Sequence, residues 1–335
     1  MKNEIKDIDY LAISARIKAM ETRLLTEERL EKLLASNTKE ERDKILAECG
    51  YPPLDPAHPD EMDAALAAER AETLDDIFQG APDGRYVHTF ILKYDYHNIK
   101  AILKAAEKGL DPEPYFLRGG RYTPEELKEA IEKDDYSYLT HTLVQAIPEA
   151  REVLQTTRDP MLADTVLDRY SYLDMLDEAT STGSSFLEAY VRLQMDAYNL
   201  RCVVRTLRMG KPPEFLQSVL IDGGTVGPEE LYAIASNKGS GLAEIYHPTL
   251  LAVAAGEGAA VIEGSGSLTD FERLVDDGVM SYLSAAQMVP FGEEVLLAYL
   301  SARETEYQNL RIVLLGKAAG LPAETIKSRI RASYV

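Results

Sequence analysis

Apolar residues recur along much of this chain at three- and four-residue steps. Tyr10, Ile13, Ile17, Met20 and Leu24 are separated by Arg16, Lys18, Glu21 and Arg23, which gathers the apolar positions on one side of a helix. Leu30 to Leu46 continues in the same style. Tyr51-Pro52-Pro53-Leu54-Asp55-Pro56 and Pro59 interrupt it, since proline lacks the N–H donor and crowds the preceding turn. A further helix is expected from Glu61 to Phe78, then a turn from Gly80 to Gly84, then another helix from near Tyr86. No stretch alternates apolar and polar residues for long enough to read as a strand, so the expected fold class is all-α.

One helical pattern occurs three times. Glu306-Tyr307-Gln308-Asn309-Leu310-Arg311-Ile312-Val313-Leu314 runs on to Gly320, Asp95-Tyr96-His97-Asn98-Ile99-Lys100-Ala101-Ile102-Leu103 to Gly109, and Asp196-Ala197-Tyr198-Asn199-Leu200-Arg201-Cys202-Val203-Val204 to Gly210. Counted from the asparagine, each copy has an acid at −3, aliphatics at +1, +4 and +5, a base at +2 and a glycine at +11. Such a glycine can take the left-handed conformation that closes a helix, and Pro112, Pro212 and Pro322 follow within three residues.

Thr123-Pro124-Glu125-Glu126-Leu127 and Gly227-Pro228-Glu229-Glu230-Leu231 then open new helices with proline in the first turn and carboxylates beside it. In the third copy Leu321-Pro322-Ala323-Glu324 leads into a last helix expected to reach Val335. Upstream, Leu167-Asp168 to Leu176 aligns with Val275-Asp276 to Ser284, which suggests a helical hairpin before each of those two signature helices. The asparagines lie 101 and 110 residues apart. Three similar domains follow from that period, with boundaries expected at 1–120, 121–222 and 223–335.

The formal charge of −20 and a pI near 4.7 exclude nucleic acid and anionic lipid as natural partners, since both repel an acidic surface. Nine acids stand against one base, Arg273, between Gly239 and Ala302; that is a solvated face or, alternatively, a docking surface for a basic partner. The first seven residues have no apolar centre and do not read as a signal peptide, and no apolar run is long enough to span a bilayer. Two cysteines, Cys49 and Cys202, make no disulfide framework and point to a reducing, cytoplasmic setting.

The triplets Asp95/Asn98/Lys100, Asp196/Asn199/Arg201 and Glu306/Asn309/Arg311 could be read as an acid, an amide and a base in catalysis. Helix geometry argues for structure instead. The acid shares a face with the aliphatics at +1 and +4, one turn before the asparagine, with which it can pair. The base points to another side, towards solvent or a partner. A threefold repeat of one triplet also suits a staple better than a single active site. Metal binding has little support. The five histidines are scattered, and Glu244-Ile245-Tyr246-His247 is a lone Glu-x-x-His with His247 before a proline. Gly316-Lys317 lacks the rest of a phosphate loop, and there is no Gly-x-Ser-x-Gly elbow. No catalytic, metal or cofactor site is expected.

Several stretches together resemble a known family. They are Tyr10-Leu11 with Arg16-Ile17-Lys18-Ala19-Met20-Glu21, the first two signatures, and a closing run of Pro290-Phe291-Gly292, Ala298-Tyr299-Leu300, Glu306, Asn309-Leu310-Arg311-Ile312, Gly316-Lys317, Ile326, Arg329, Arg331 and Tyr334. This is similar to the C subunit of the A/V-type rotary ATPases, the counterpart of the d subunit of eukaryotic V-ATPases. The departures are small: Lys100 stands where the other copies have arginine, and Leu315 where they have Lys104 and Arg205.

The resemblance implies three helical domains about a pseudo-threefold axis, shaped as a funnel, without catalytic activity or cofactor. It implies a seat on the cytoplasmic side of the membrane rotor (proteolipid) ring, with no insertion into lipid. It further implies a grip on the central-stalk subunits D and F, so that torque passes between stalk and ring in ion transport or ATP synthesis. The acidic balance would suit a basic foot on that stalk. The competing readings are a helical adaptor unrelated to rotary ATPases and a carboxylate metalloenzyme.

Overall fold

Capping residues set where each helix begins in the computed structural model, which describes residues 6–332. Among the described residues all regular structure is helical. The first helix, α1 (Leu11–Glu21), carries the opening stripe, with Tyr10, Ile13 and Ile17 buried. The Leu30–Leu46 stretch, expected to continue as one pattern, divides into α2 (Glu27–Ala35) and α3 (Lys39–Glu48). The physical reason is a reciprocal capping pair at Thr38 and Glu41, which satisfies N–H groups that a fresh helix start leaves open. Pro59 at the first position opens α4 (Pro59–Gly80), and the first signature helix is α5 (Arg85–Lys108).

Thr123 and Glu126 cap α6 (Pro124–Lys133) in the same reciprocal way. The hairpin of α7 (His141–Thr157) and α8 (Pro160–Thr182) turns at Arg158, left-handed at φ 58°, and Asp159 then caps α8. The second signature helix, α9 (Ser185–Arg208), follows. Short helices α10 (Leu216–Val219), α11 (Pro228–Ser236) and α12 (Leu242–Tyr246) come next. A second hairpin, α13 (Ala252–Glu263) and α14 (Leu268–Ser284), turns at left-handed Gly264. The third signature helix is α15 (Glu293–Ala318), and α16 (Ala323–Lys327) is the last. That last helix stops at Lys327 rather than running on, because Arg331 commits its N–H and carbonyl to a pairing described below; Ser333–Val335 lie outside the described residues.

The chain forms two compact units. Arg85–Ile245 is one; the other joins the chain up to Gly84 with the chain from Tyr246 onward. In the Arg85–Ile245 unit, the signature stripe Tyr96, Ile99, Ile102 and Leu103 packs against Leu127 and Ile131 of α6, Leu143, Ile147 and Leu154 of α7, and Leu167 of α8. In the other unit, the matching stripe of α15 (Tyr307, Leu310, Val313, Leu314) packs against Leu30 and Leu33 of α2, Leu46 of α3, and Met62 and Leu66 of α4. Each fully buried leucine or isoleucine contributes about 1.5–3 kcal/mol. The third signature helix thus finds its core in residues from the start of the chain. Among the described residues, none of the helices is long and apolar enough to cross a membrane.

Candidate functional site

Each signature asparagine is buried and holds one residue of a returning segment by both backbone groups. Asn98 Nδ2 donates to the Leu117 carbonyl and its Oδ1 accepts the Leu117 N–H, each at 2.8 Å. Asn199 treats Ile221 the same way at 2.7 and 2.9 Å, and Asn309 treats Arg331 at 3.0 and 2.9 Å. The side-chain amide pairs with one residue's N–H and C=O as a strand neighbour would, so a returning non-helical segment is secured against a helix without a sheet.

The acids hold a second point. Asp95 accepts the N–H groups of Arg121 and Tyr122 at 3.1 and 3.2 Å. Asp196 accepts those of Thr225 and Val226 at 2.9 and 3.0 Å, and the Thr225 hydroxyl besides. The expected pairing of acid with asparagine inside each helix gives way to this arrangement, because a carboxylate satisfies backbone donors that the loop could not otherwise satisfy once buried. Gly120 and Gly224 press against the two carboxylates so closely that a methyl group on either would collide with Oδ1. Gly119-Gly120 and Gly223-Gly224 stand at the same distance before Thr123-Pro124 and Gly227-Pro228. Those paired glycines are a legible signal for the loop, though the helical pattern alone passes over them.

In the third copy the two ends of the chain supply the same parts. Glu306 accepts the N–H of Leu25, the residue before the Thr26 cap of α2. Tyr122 and Val226 likewise precede the caps of α6 and α11. Glu306 also accepts from the Tyr51 hydroxyl and from Arg303 Nη1, the latter at 2.5 Å. Lys317 adds a further tie: its Nζ donates to the carbonyls of Leu33 and Leu34 at 2.9 and 2.5 Å and to that of Ser36, closing the C-terminal end of α2.

The glycines at +11 complete the pattern. Gly109, Gly210 and Gly320 have φ of 64°, 64° and 70°. The next residue in each case donates its N–H to the carbonyl five positions back, as Leu110 to Ala105, Lys211 to Thr206 and Leu321 to Gly316. The bases at +2 are not simply turned to solvent. Lys100 pairs with Asp168 of α8, and Arg311 forms a two-point pair with Asp63 of α4 at 2.6 and 2.7 Å. Arg201 is half-buried and close enough to Tyr172 to bear on its ionisation.

Burial dominates the electrostatics. It pushes the Asp95 carboxyl up to about 7, against the pull of the Tyr122 and Arg121 N–H groups and the Arg121 guanidinium. Asp196 is raised for the same reason, with Thr225 and Val226 opposing, and Glu306 is raised with Arg303 opposing. These acids have their oxygens directed at backbone and side-chain donors rather than at open space, which is the geometry of a clasp. Among the described residues no group of three or more His, Cys, Asp or Glu side chains is placed to hold a metal ion.

Comparison with known proteins agrees over almost the full length. The profile of the ATP synthase (C/AC39) subunit family matches residues 13–329. The chain is 23% identical to the C subunit of the V-type sodium ATPase of Enterococcus hirae over 328 residues, covering 98% of this chain and 99% of that one. It is 26% identical to the C subunit of the A-type ATP synthase of Pyrococcus horikoshii, covering 91% and 85%. It is 24% identical to the C subunit of the V-type ATP synthase of Deinococcus radiodurans, covering 97% and 92%. With helices throughout, a clasp repeated at each signature and a match from near the first helix to the last, this chain belongs to the ATP synthase (C/AC39) subunit family, the C subunits of A/V-type ATPases.

Proposed function

We propose that the protein is a non-catalytic rotor part that joins the central stalk, subunits D and F, to the membrane proteolipid ring, and carries torque between them. It would sit on the cytoplasmic face, held to the membrane through the complex and not by lipid insertion. The observation that carries this reading is the clasp at each of three signature helices, with the third closed by the two ends of the chain. A coupling under load needs a body that resists shear. Two-point amide pairing and buried carboxylates fix loops to helices with little play.

The threefold division expected at 1–120, 121–222 and 223–335 belongs to the same proposal. The packing favours counting each part from its signature helix onward, so that the first helices complete the third part. The acidic surface would then orient a basic foot of the stalk.

Co-expression with the neighbouring stalk and ring subunits tests the proposal. The expected result is a complex retained through gel filtration that holds this chain, the stalk pair and the ring. A chain that elutes alone from both stalk and ring would overturn it.

A further inference from the structure

Four lysines and a histidine lie in one line along α5. Lys93, His97, Lys100, Lys104 and Lys108 follow at steps of four, three, four and four residues, which keeps them on one side of the helix over about 22 Å. The clasp does not account for them. The same positions of α9 carry Gln194, Tyr198, Arg201, Arg205 and Met209, and those of α15 carry Glu304, Gln308, Arg311, Leu315 and Ala319. The basic side chains thus fall to two in α9 and one in α15, while the acid, the asparagine and the glycine stay. Like charges one turn apart work against a helix. α8 offsets part of that, since Asp168 meets Lys100 and Asp164 meets Lys104. Lys108 is exposed, and among the described residues no acid pairs with it. Lys93 is exposed as well, its Nζ 4.2 and 5.1 Å from the ring centres of Phe90 and Tyr94.

Two hollows adjoin this line and share His97 and Lys100. One, of about 290 Å³, is walled by Tyr172 and Met175 of α8 and Tyr190 of α9. The other, of about 270 Å³, lies between α5 and the loop that carries Leu110 and Tyr115, which are 57% and 60% exposed. Besides His97, the charged side chains lining the two are Lys93, Lys100, Lys104 and Lys108 against Asp168 alone. In the whole chain acids outnumber lysine and arginine by 56 to 36, so the local balance is reversed.

A basic line bordered by apolar hollows selects an acidic and partly apolar partner. A bilayer or a nucleic acid would extend past the line and meet the acidic remainder of the chain, whereas one helix touches the line alone. A helix also rises as α5 does, so carboxylates at four- and three-residue steps meet the lysines one by one. Apolar side chains beside them enter the hollows.

We propose that this face docks an acidic amphipathic helix of a partner protein. It holds whether or not the rotor reading does, since it rests on residues of the Arg85–Ile245 unit alone.

Fluorescence anisotropy tests it, with the full chain and a labelled helical peptide of about 15 residues whose glutamates, at four- and three-residue steps, are flanked by leucines. Saturable binding is expected, about tenfold or more tighter than that of the same peptide with glutamine for glutamate. Lys93→Glu and Lys108→Glu, both at exposed side chains outside the clasp, should each weaken it about fivefold or more. Lys44→Glu in α3, the same reversal at another exposed lysine, should leave it unchanged. The proposal is overturned if the peptide does not bind, if the glutamine peptide binds as tightly, or if neither α5 variant weakens binding. It is also overturned if Lys44→Glu weakens binding as much, or if phosphatidylserine vesicles take up the chain through Lys93 and Lys108 while the peptide does not.

Discussion

Asn199 commits both ends of its amide to Ile221, and both partners are buried. Replacing it with leucine, Asn199→Leu, keeps the volume and removes the pairing, leaving a buried N–H and a buried carbonyl unmet. The expected loss is about 1–3 kcal/mol for each orphaned group, read as a lower urea midpoint. Asp95 gives a prediction with a sign in pH. Its folded carboxyl is raised to about 7 from an ordinary value of 3.8, so between those values the folded chain holds the proton more tightly than the unfolded one. The stability this group contributes is therefore present at low pH and falls as pH rises from about 4 to 7. Asp95→Asn should remove that slope: relative to the parent, the variant should fare better at pH 7.5 than at pH 5 in urea titrations. An unchanged difference across that range would show that the carboxyl titrates normally.

The signature helices were legible because their markers are side chains: an acid, an amide and a glycine at fixed spacing. What those side chains hold was not. Leu117 and Ile221 are aliphatic whereas Arg331 is charged, since the asparagines grip only N–H and C=O groups that almost every residue supplies. Helical spacing placed the acid one turn before the amide and suggested that they pair, but spacing cannot weigh a nearby partner against a loop that returns much later in sequence. The tie from Lys317 to the end of α2 was hidden for the same reason, spanning almost the entire chain. Lys317→Met should release the last turn of α2. The expected cost is about 1 kcal/mol, with faster amide exchange across Leu30–Ser36 and little change in α6. Uniform exchange in both helices would show that the lysine does not act locally.

At the scale of the whole molecule, the charge of −20 is the property a partner meets first. If a basic stalk foot is steered by it, affinity for the stalk pair should fall as salt rises from about 50 to 300 mM, mostly through a slower association rate. Salt-independent binding would assign the interface to apolar contacts instead. The fold class and the family were both open to a reader of the sequence. The way the third signature helix is covered was not, because no periodicity tells that residues 25–66 and 307–326 share one core.

That shared core bears on how the protein is made. A ribosome emits Leu30, Leu33, Leu46 and Leu54 early, yet the helix that covers them emerges only after about 240 further residues. The whole Arg85–Ile245 stretch lies between the two in sequence, so the core shared by α2, α3, α4 and α15 forms only after that stretch has been made. A chain cut short by premature termination keeps that surface uncovered. Without α15 the apolar faces of α2, α3 and α4 have no cover, so this surface reports whether the far part of the chain has been made and packed.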